Sequence, residues 1–388
     1  MRVTCVPQVG GRTLEYALGP HNCLFIGSRD LGKTLKDGDE RRYRHFGGQF
    51  AQLHPEERWA RLASGYLPEL LMGAYEAKAL PADGGTARLE MTSPVDLATG
   101  TRLVRTVELF PASSRLRITD TVTNVRPVPQ EWGIQAMLQL KGFATESGIL
   151  RGDERPAGAI SLYVPLSPKS RFRKGVSYVV GGERPASAES QWSSDELPGL
   201  LRVQYRGEFG KALVDPVLPW VAFVDRNSGC AFVQQCRAAD KAILTAGGPL
   251  HEYPFIEVQC FGNVARLGPG ESTSLVQDWY AARCVGPVVD VTAAGVVSSP
   301  LSLLRGEGRT WAAGVFGVFH VGRAALVLQG ADGAELSRVD CGPVTPLERF
   351  RLNCAVDVSP QVAGVTLEIS DVAGKPVGDL GKISLGAR

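Results

Sequence analysis

Residues 251–279 read HEYPFIEVQCFGNVARLGPGESTSLVQDW. The first half alternates as a β-strand does, because successive side chains of a strand point to opposite faces. Phe255, Glu257, Gln259 and Phe261 share one face; Ile256, Val258 and Cys260 share the other. The second face suits burial. The first carries a carboxylate and an amide between two aromatic rings, a combination suited to a hydroxyl-rich ligand such as a sugar. Leu267-Gly268-Pro269-Gly270-Glu271 is a turn, and a second strand follows it.

Strands continue upstream. Residues 102–110 (RLVRTVELF) and 115–124 (RLRITDTVTN) flank Pro111-Ala112-Ser113-Ser114, a hairpin signature. Further strands are expected at 132–140, 159–164, 200–206, 220–225, 229–236, 241–246 and 274–281. Two helices are expected near the N-terminus. One covers Pro55 to Ala63, where proline opens the segment and acids fill its first turn. The other covers Glu69 to Ala79. After Gly286-Pro287 turn signals recur and no helical pattern is seen, while residues 365–371 (VTLEISD) alternate cleanly. The fold class is therefore all-β, with a first domain over 1–286 and a small C-terminal β-sandwich over 287–388.

The bulk composition agrees. A chain of 388 residues exceeds one ordinary core. Its 44% hydrophobic and 21% charged content describes a folded chain, and 45 glycines with 25 prolines imply many turns. A formal net charge of +2 gives no electrostatic reason to expect nucleic acid or an anionic membrane as partner. No apolar run reaches bilayer length. The start, MRVTCVPQVGG, lacks the apolar core of a signal peptide, so the expected location is cytoplasmic, or extracytoplasmic if a signal has been removed. Eight cysteines without a CxxC pair read as buried free thiols.

Several motifs carry candidate chemistry. Gly27-Ser-Arg-Asp-Leu-Gly32-Lys33-Thr34 matches the phosphate-loop pattern letter for letter, but Asp37-Gly38-Asp39 follows where a helix is needed, and no βαβ alternation surrounds it. The basic run Arg41-Arg42-Tyr43-Arg44-His45 is either a solvated loop or a contact for an acidic sugar, with Arg44 as candidate. Phe46-Gly47-Gly48-Gln49-Phe50 with His54, Glu56, Glu57 and Trp59 is either a loop that packs its aromatics or the edge of a site. No HxH or HxxxH pair appears, so neither a metal nor another cofactor is expected. Glu257, set between Phe255 and Phe261, is either an exposed glutamate on the solvent face of its strand, which spacing alone favours, or the best candidate for a general base, because partial desolvation raises a carboxylate pKa.

The run Phe255-Ile-Glu257-Val-Gln259, the Leu267-Gly-Pro-Gly-Glu271 turn and the hairpin ending at Asn124 together resemble the galactose mutarotase-like (aldose 1-epimerase) superfamily. FGGQFAQLHPEERW, at 46–59, resembles the N-terminal double-glycine segment of that family's relatives. The resemblance covers residues 1 to about 285. It implies an antiparallel β-supersandwich with sugar in an open groove. It also implies Glu257 as the base that deprotonates the anomeric hydroxyl, with a histidine as acid on the ring oxygen. The chain departs from the pattern at that histidine, since Trp132-Gly-Ile-Gln-Ala-Met-Leu-Gln-Leu140 contains none. Gln135 and Gln139 share a face there, and glutamine does not act as an acid near neutral pH. His251 and His54 are the replacement candidates.

Three functions follow as expectations. The first is an epimerase-like isomerase using Glu257 with His251 or His54. The second is a polysaccharide lyase acting on uronates, with Tyr253, His251 and Arg41–Arg44. The third is a non-catalytic glycan-binding protein with Trp59, Trp132 or Phe255 as stacking platforms. In each case carbohydrate is the partner, and Gln259, Gln135, Trp59, Arg44 and Trp132 are its expected contacts.

Overall fold

The computed structural model describes residues 1–34, 43–62, 64–150, 158–180, 191–215, 220–237, 239–246, 254–306 and 309–385. His251, Tyr253, Arg41 and Arg42 lie outside the described residues.

The chain forms two compact units. The first comprises Met1–Leu109, Leu116–Phe223 and Gln234–Trp279. The second comprises Phe110–Arg115, Val224–Val233 and Tyr280–Arg388.

The first unit is built on two large sheets, each of ten strands among the described residues. The path of one sheet runs Arg2–Val6, Arg12–Leu18, Gln49–His54, Gln130–Lys141, Phe255–Gly262, Ala239–Ala246, Gly210–Val214, Val176–Val180. The other contains the expected hairpin, Thr101–Leu109 against Leu116–Asn124, with Ser272–Arg283 beside it. The hairpin and the strands of the first sheet pair antiparallel. The architecture is an all-β supersandwich, as the alternating strands predict.

Register sorts the first sheet's side chains into two kinds. Ile134, Ala136, Leu138 and Leu140 stand beside Ile256, Val258 and Cys260, then Ala242, Leu244 and Ala246. This apolar face packs on the second sheet: Cys260 meets Cys236, and Tyr16 sets its ring edge-on to Trp279 at 5.6 Å. The two sheets are also tied by charge. Arg105 Nε donates to Asp120 at 2.7 Å, and its Nη1 reaches across to the carbonyls of Gly11 (3.0 Å) and Gln49 (3.3 Å). Both side chains of this ion pair are fully buried.

Asn124 joins the hairpin to the Pro-Gly-Glu turn. Its amide donates to the carbonyls of Val128, Leu267 and Gly268, and its backbone exchanges hydrogen bonds with Gly270 and Glu271. Two motifs 140 residues apart in the chain thus form one corner.

Both expected helices are corrected. Pro55 to Ala63 yields only a single 3-10 turn, Glu56–Arg58. Glu69 to Ala79 yields a four-residue helix, Pro68–Leu71, and then the strand Glu76–Asp83. That strand, EAKALPAD, opens on good helix formers, yet it pairs with Thr86–Thr92 at the sheet edge, where pairing overrides helical propensity and Pro81 is tolerated. Strands at Gln49–His54, Val176–Val180 and Gly210–Val214 have no counterpart among the expected ones.

The second unit holds two four-stranded antiparallel sheets, one including Gly295–Gly306, Arg309–Val318 and Arg349–Val356, the other Gly322–Gln329, Glu335–Val344, Gly364–Asp371 and Pro376–Ser384. Phe316, Val318, Leu326, Leu352, Val365, Leu367 and Ile369 fill its core. All eight cysteines are free thiols.

Candidate functional site

The face of the first sheet opposite its apolar side is polar, and its geometry starts at Gly47-Gly48. These residues have φ of +84° and +72°, a region that favours glycine. A Cβ on Gly47 would stand 2.1 Å from the Phe25 carbonyl oxygen, and one on Gly48 would stand 2.3 Å from that of Thr13. The Gly48 carbonyl accepts from the Gln139 N–H at 3.0 Å. This bend starts the strand Gln49–His54 against the middle of Gln130–Lys141, with Gln52 opposite Gln135.

Five side chains on this face are then linked in sequence. Gln52 Nε2 donates to Gln135 Oε1 at 2.9 Å, Gln135 Nε2 to Gln259 Oε1 at 3.0 Å, and Gln259 Nε2 to Glu257 Oε1 at 2.5 Å. Gln139 Nε2 closes the row from the other side, donating to Glu257 Oε2 at 2.7 Å. Gln52 also donates to Glu56 at 3.2 Å. All five are buried. Buried polar groups are costly unless satisfied, and a satisfied network is rigid.

Glu257 is 6% exposed. Burial pushes its pKa above the ordinary carboxylate value, against the opposing pull of hydrogen bonds from Gln139 and Gln259 and of the Lys211 charge; Glu56 adds a small push upward. Neither hydrogen-bond partner is a histidine. Tyr43, from the basic run, lies close enough for its phenol to feel Glu257; it bonds Arg12, and burial raises its own pKa. The Arg12 guanidinium lies over the Phe50 ring at 3.9 Å and donates to the Gly47 carbonyl at 2.9 Å. Arg44 is half-buried in the same segment.

His54 is on the same face but at the far end of the row. Its strand position is opposite Gly133, whereas Glu257 is opposite Gln139. Six residues of strand separate them, about 20 Å at 3.4 Å per residue. That exceeds the size of one sugar ring, so the structure does not bring the expected base and this expected acid together. His54 Nε2 donates to the Gly262 carbonyl at 2.6 Å, and its ring fits where Gly133 has no side chain.

The two tryptophans expected as stacking platforms are both packed in the fold. Trp59 is 5% exposed and donates its indole N–H to the Leu53 carbonyl. Trp132 is equally buried, donates to Gln130 and carries Arg58 over its ring. By register it belongs to the face opposite Gln135. Phe255 packs with Phe25 and Phe143 in a closed aromatic cluster.

A cleft of about 540 Å³ opens on the polar face, walled by His54, Glu56, Arg171, Lys211, Ile243, Gln259 and Phe261. Glu257 is not part of that wall; it stands one alternate position behind Gln259. Gln52, Gln139, Lys211 and Thr245 stand on the same face and are missing from the sequence-based set of candidates. Gln139 is visible in the alternation of its strand; the others require the pairing of distant strands. Among the described residues no group of three His, Cys, Asp or Glu side chains is placed to hold a metal ion. Gly27–Thr34 contains one 3-10 turn, Ser28–Asp30, and no helix that would face a phosphate.

No family model matches the chain, and no curated protein matches it in sequence. Among solved structures it is similar to a galactose mutarotase-like protein from Clostridium acetobutylicum, at 11% identity and a TM-score of 0.48, over 72% of this chain and 92% of that one. It is also similar to a galactose mutarotase-like protein from Lactobacillus casei, at 12% identity and a TM-score of 0.45, over 72% and 96%.

Proposed function

We propose that the protein binds a mono- or oligosaccharide against the amide-lined face, and that Glu257 is the proton acceptor of an aldose 1-epimerase-like reaction. The observation that carries this reading is the row Gln52–Gln135–Gln259–Glu257–Gln139 beside an open cleft. Amides both donate and accept, so the row is matched to sugar hydroxyls. The raised pKa of Glu257 suits proton transfer nearer neutral pH than an ordinary carboxylate allows. In the reaction Glu257 accepts the anomeric hydroxyl proton while the bond from C1 to the ring oxygen breaks. That electron pair goes to the ring oxygen, which takes up a proton from a water molecule in the open cleft. Rotation and reclosure return both protons and give the other anomer.

One observation favours a second reading, glycan binding without turnover. Both oxygens of Glu257 are engaged by amides, and neither partner is an acid. Proton NMR of anomer exchange over a panel of aldoses, with calorimetry on the same sugars, separates the two. Exchange that Glu257→Gln abolishes supports catalysis. Binding without exchange supports the second reading, and an exchange rate untouched by Glu257→Gln refutes the first.

A further inference from the structure

Register places four polar side chains in one straight row across four neighbouring strands: Gln139, Glu257, Thr245 and Lys211. At about 4.8 Å between strands the row is about 14 Å long. Three of the four have evident employment. Gln139 donates to Glu257, Glu257 accepts from two amides, and Lys211 walls the cleft with its charge acting on Glu257.

Thr245 differs. It is 3% exposed, and its Oγ1 has no hydrogen-bond partner among the described residues. Such buried, unsatisfied hydroxyls are uncommon in native proteins. Valine has the same shape and suits a strand equally well, without a hydroxyl to desolvate. Among the described residues the hydroxyl is thus open to a ligand partner. Its neighbours on the same face, Lys211, Ile243 and Gln259, form a wall of the cleft.

We propose that Thr245 is a ligand-binding residue whose Oγ1 hydrogen-bonds the 2-hydroxyl of a bound aldose, beside the anomeric hydroxyl held by Glu257. This inference rests on the sugar-binding reading of the face. Directly opposed residues on paired strands hold their Cβ atoms about 5 Å apart, so Glu257 and Thr245 address two adjacent ring hydroxyls. An ionised carboxylate only accepts, whereas a threonine hydroxyl donates and accepts. The pair thus selects sugars with vicinal hydroxyls at C1 and C2.

The test is calorimetric binding of D-glucose, D-galactose and D-mannose to wild type, Thr245→Val and Thr245→Ser, repeated with the 2-deoxy form of each sugar that binds. Thermal midpoints are measured in parallel. Thr245→Val is expected to weaken binding of the 2-hydroxy sugars about tenfold, or about 1.4 kcal/mol. Thr245→Ser stays within about twofold of wild type, and the 2-deoxy sugars bind wild type and Thr245→Val alike. The thermal midpoint of Thr245→Val equals or exceeds that of wild type, because an unpaired hydroxyl has been removed. A lowered midpoint overturns the inference, since it gives the hydroxyl a structural partner. Wild-type affinity in Thr245→Val, with Gln259→Ala impaired, overturns it while leaving the sugar-binding reading in place. An equal loss on 2-deoxy sugars overturns the assignment to the 2-hydroxyl. Absence of binding by all three sugars to wild type overturns the inference and the reading together.

Discussion

Arg105→Met is the perturbation whose outcome follows most directly from the fold. The guanidinium and the Asp120 carboxylate oppose each other on neighbouring strands, both fully buried, with Nε and Oδ1 2.7 Å apart. Nη1 also donates to the carbonyls of Gly11 and Gln49. Methionine fills much of the volume but leaves Asp120 buried without a cation. Breaking a buried pair on one side costs about 3–5 kcal/mol, because the remaining charge is uncompensated. Adding Asp120→Leu removes that charge. The double variant then keeps only the loss of donors to two backbone carbonyls, about 1 kcal/mol each.

Urea unfolding followed by tryptophan fluorescence at pH 7 measures both variants. Arg105→Met should lose about 3–5 kcal/mol, and the double variant should recover part of that loss. A single-variant loss below about 1 kcal/mol, or a double variant no more stable than the single one, would refute the reasoning. Because Gln49 begins the strand that carries Gln52, the same variant is also expected to weaken sugar binding.

Glu257→Gln is expected to flatten part of the stability profile. The wild-type carboxyl has a pKa raised by burial, so above the unfolded value of about 4.3 the folded state still holds a proton that the unfolded state has lost. Stability therefore falls as pH rises from there through the raised folded value, and the variant lacks that fall; parallel midpoint-versus-pH curves would count against it. Gln135→Leu should cost about 2 kcal/mol in urea denaturation, because Gln52 loses an acceptor and Gln259 loses a donor; a neutral result would mean the amide row is not a connected network. Gly47→Ala should lower the thermal midpoint through at least about 1–2 kcal/mol of left-handed backbone cost, with the contact to the Phe25 carbonyl added; an unchanged midpoint would reject the close approach.

What was legible in the chain was whatever a single strand encodes by itself. The alternation of 255–261 correctly separates Glu257 and Gln259 from the apolar side chains, and that of 132–140 does the same for Gln135 and Gln139. Gln49–His54 was not legible as a strand, because its polar residues fall on both faces. Gln52 and His54 face the cleft side, whereas Gln49 faces inward, where its backbone carbonyl accepts from Arg105. Trp59 and Trp132 could not be placed from the sequence, because composition does not distinguish a ring offered to a ligand from one packed inside; both are buried. Thr245 and Lys211 sit in unremarkable stretches. Only the pairing of Ala239–Ala246 with Phe255–Gly262 and Gly210–Val214 sets them beside Glu257.

The amide row also bears on why the sheet has one register. On Gln130–Lys141 the apolar residues Ile134, Ala136, Leu138 and Leu140 alternate with Gly133, Gln135, Met137 and Gln139. A one-residue slip would turn the glutamines into the apolar layer between the sheets and separate Gln139 from Glu257. Each unpaired amide there would carry a desolvation penalty of about 1–3 kcal/mol, so the slipped pairing is disfavoured by the same side chains that form the site. Replacing Gln135 and Gln139 together with leucine would make both faces apolar and weaken this discrimination, beyond the loss of two hydrogen-bonded links. The polar row is therefore a register lock as well as the proposed binding surface. Its glutamines are constrained by folding even in a reading where nothing is turned over, whereas Thr245, whose hydroxyl has no partner among the described residues, is the position where the proposed ligand and the fold can be told apart.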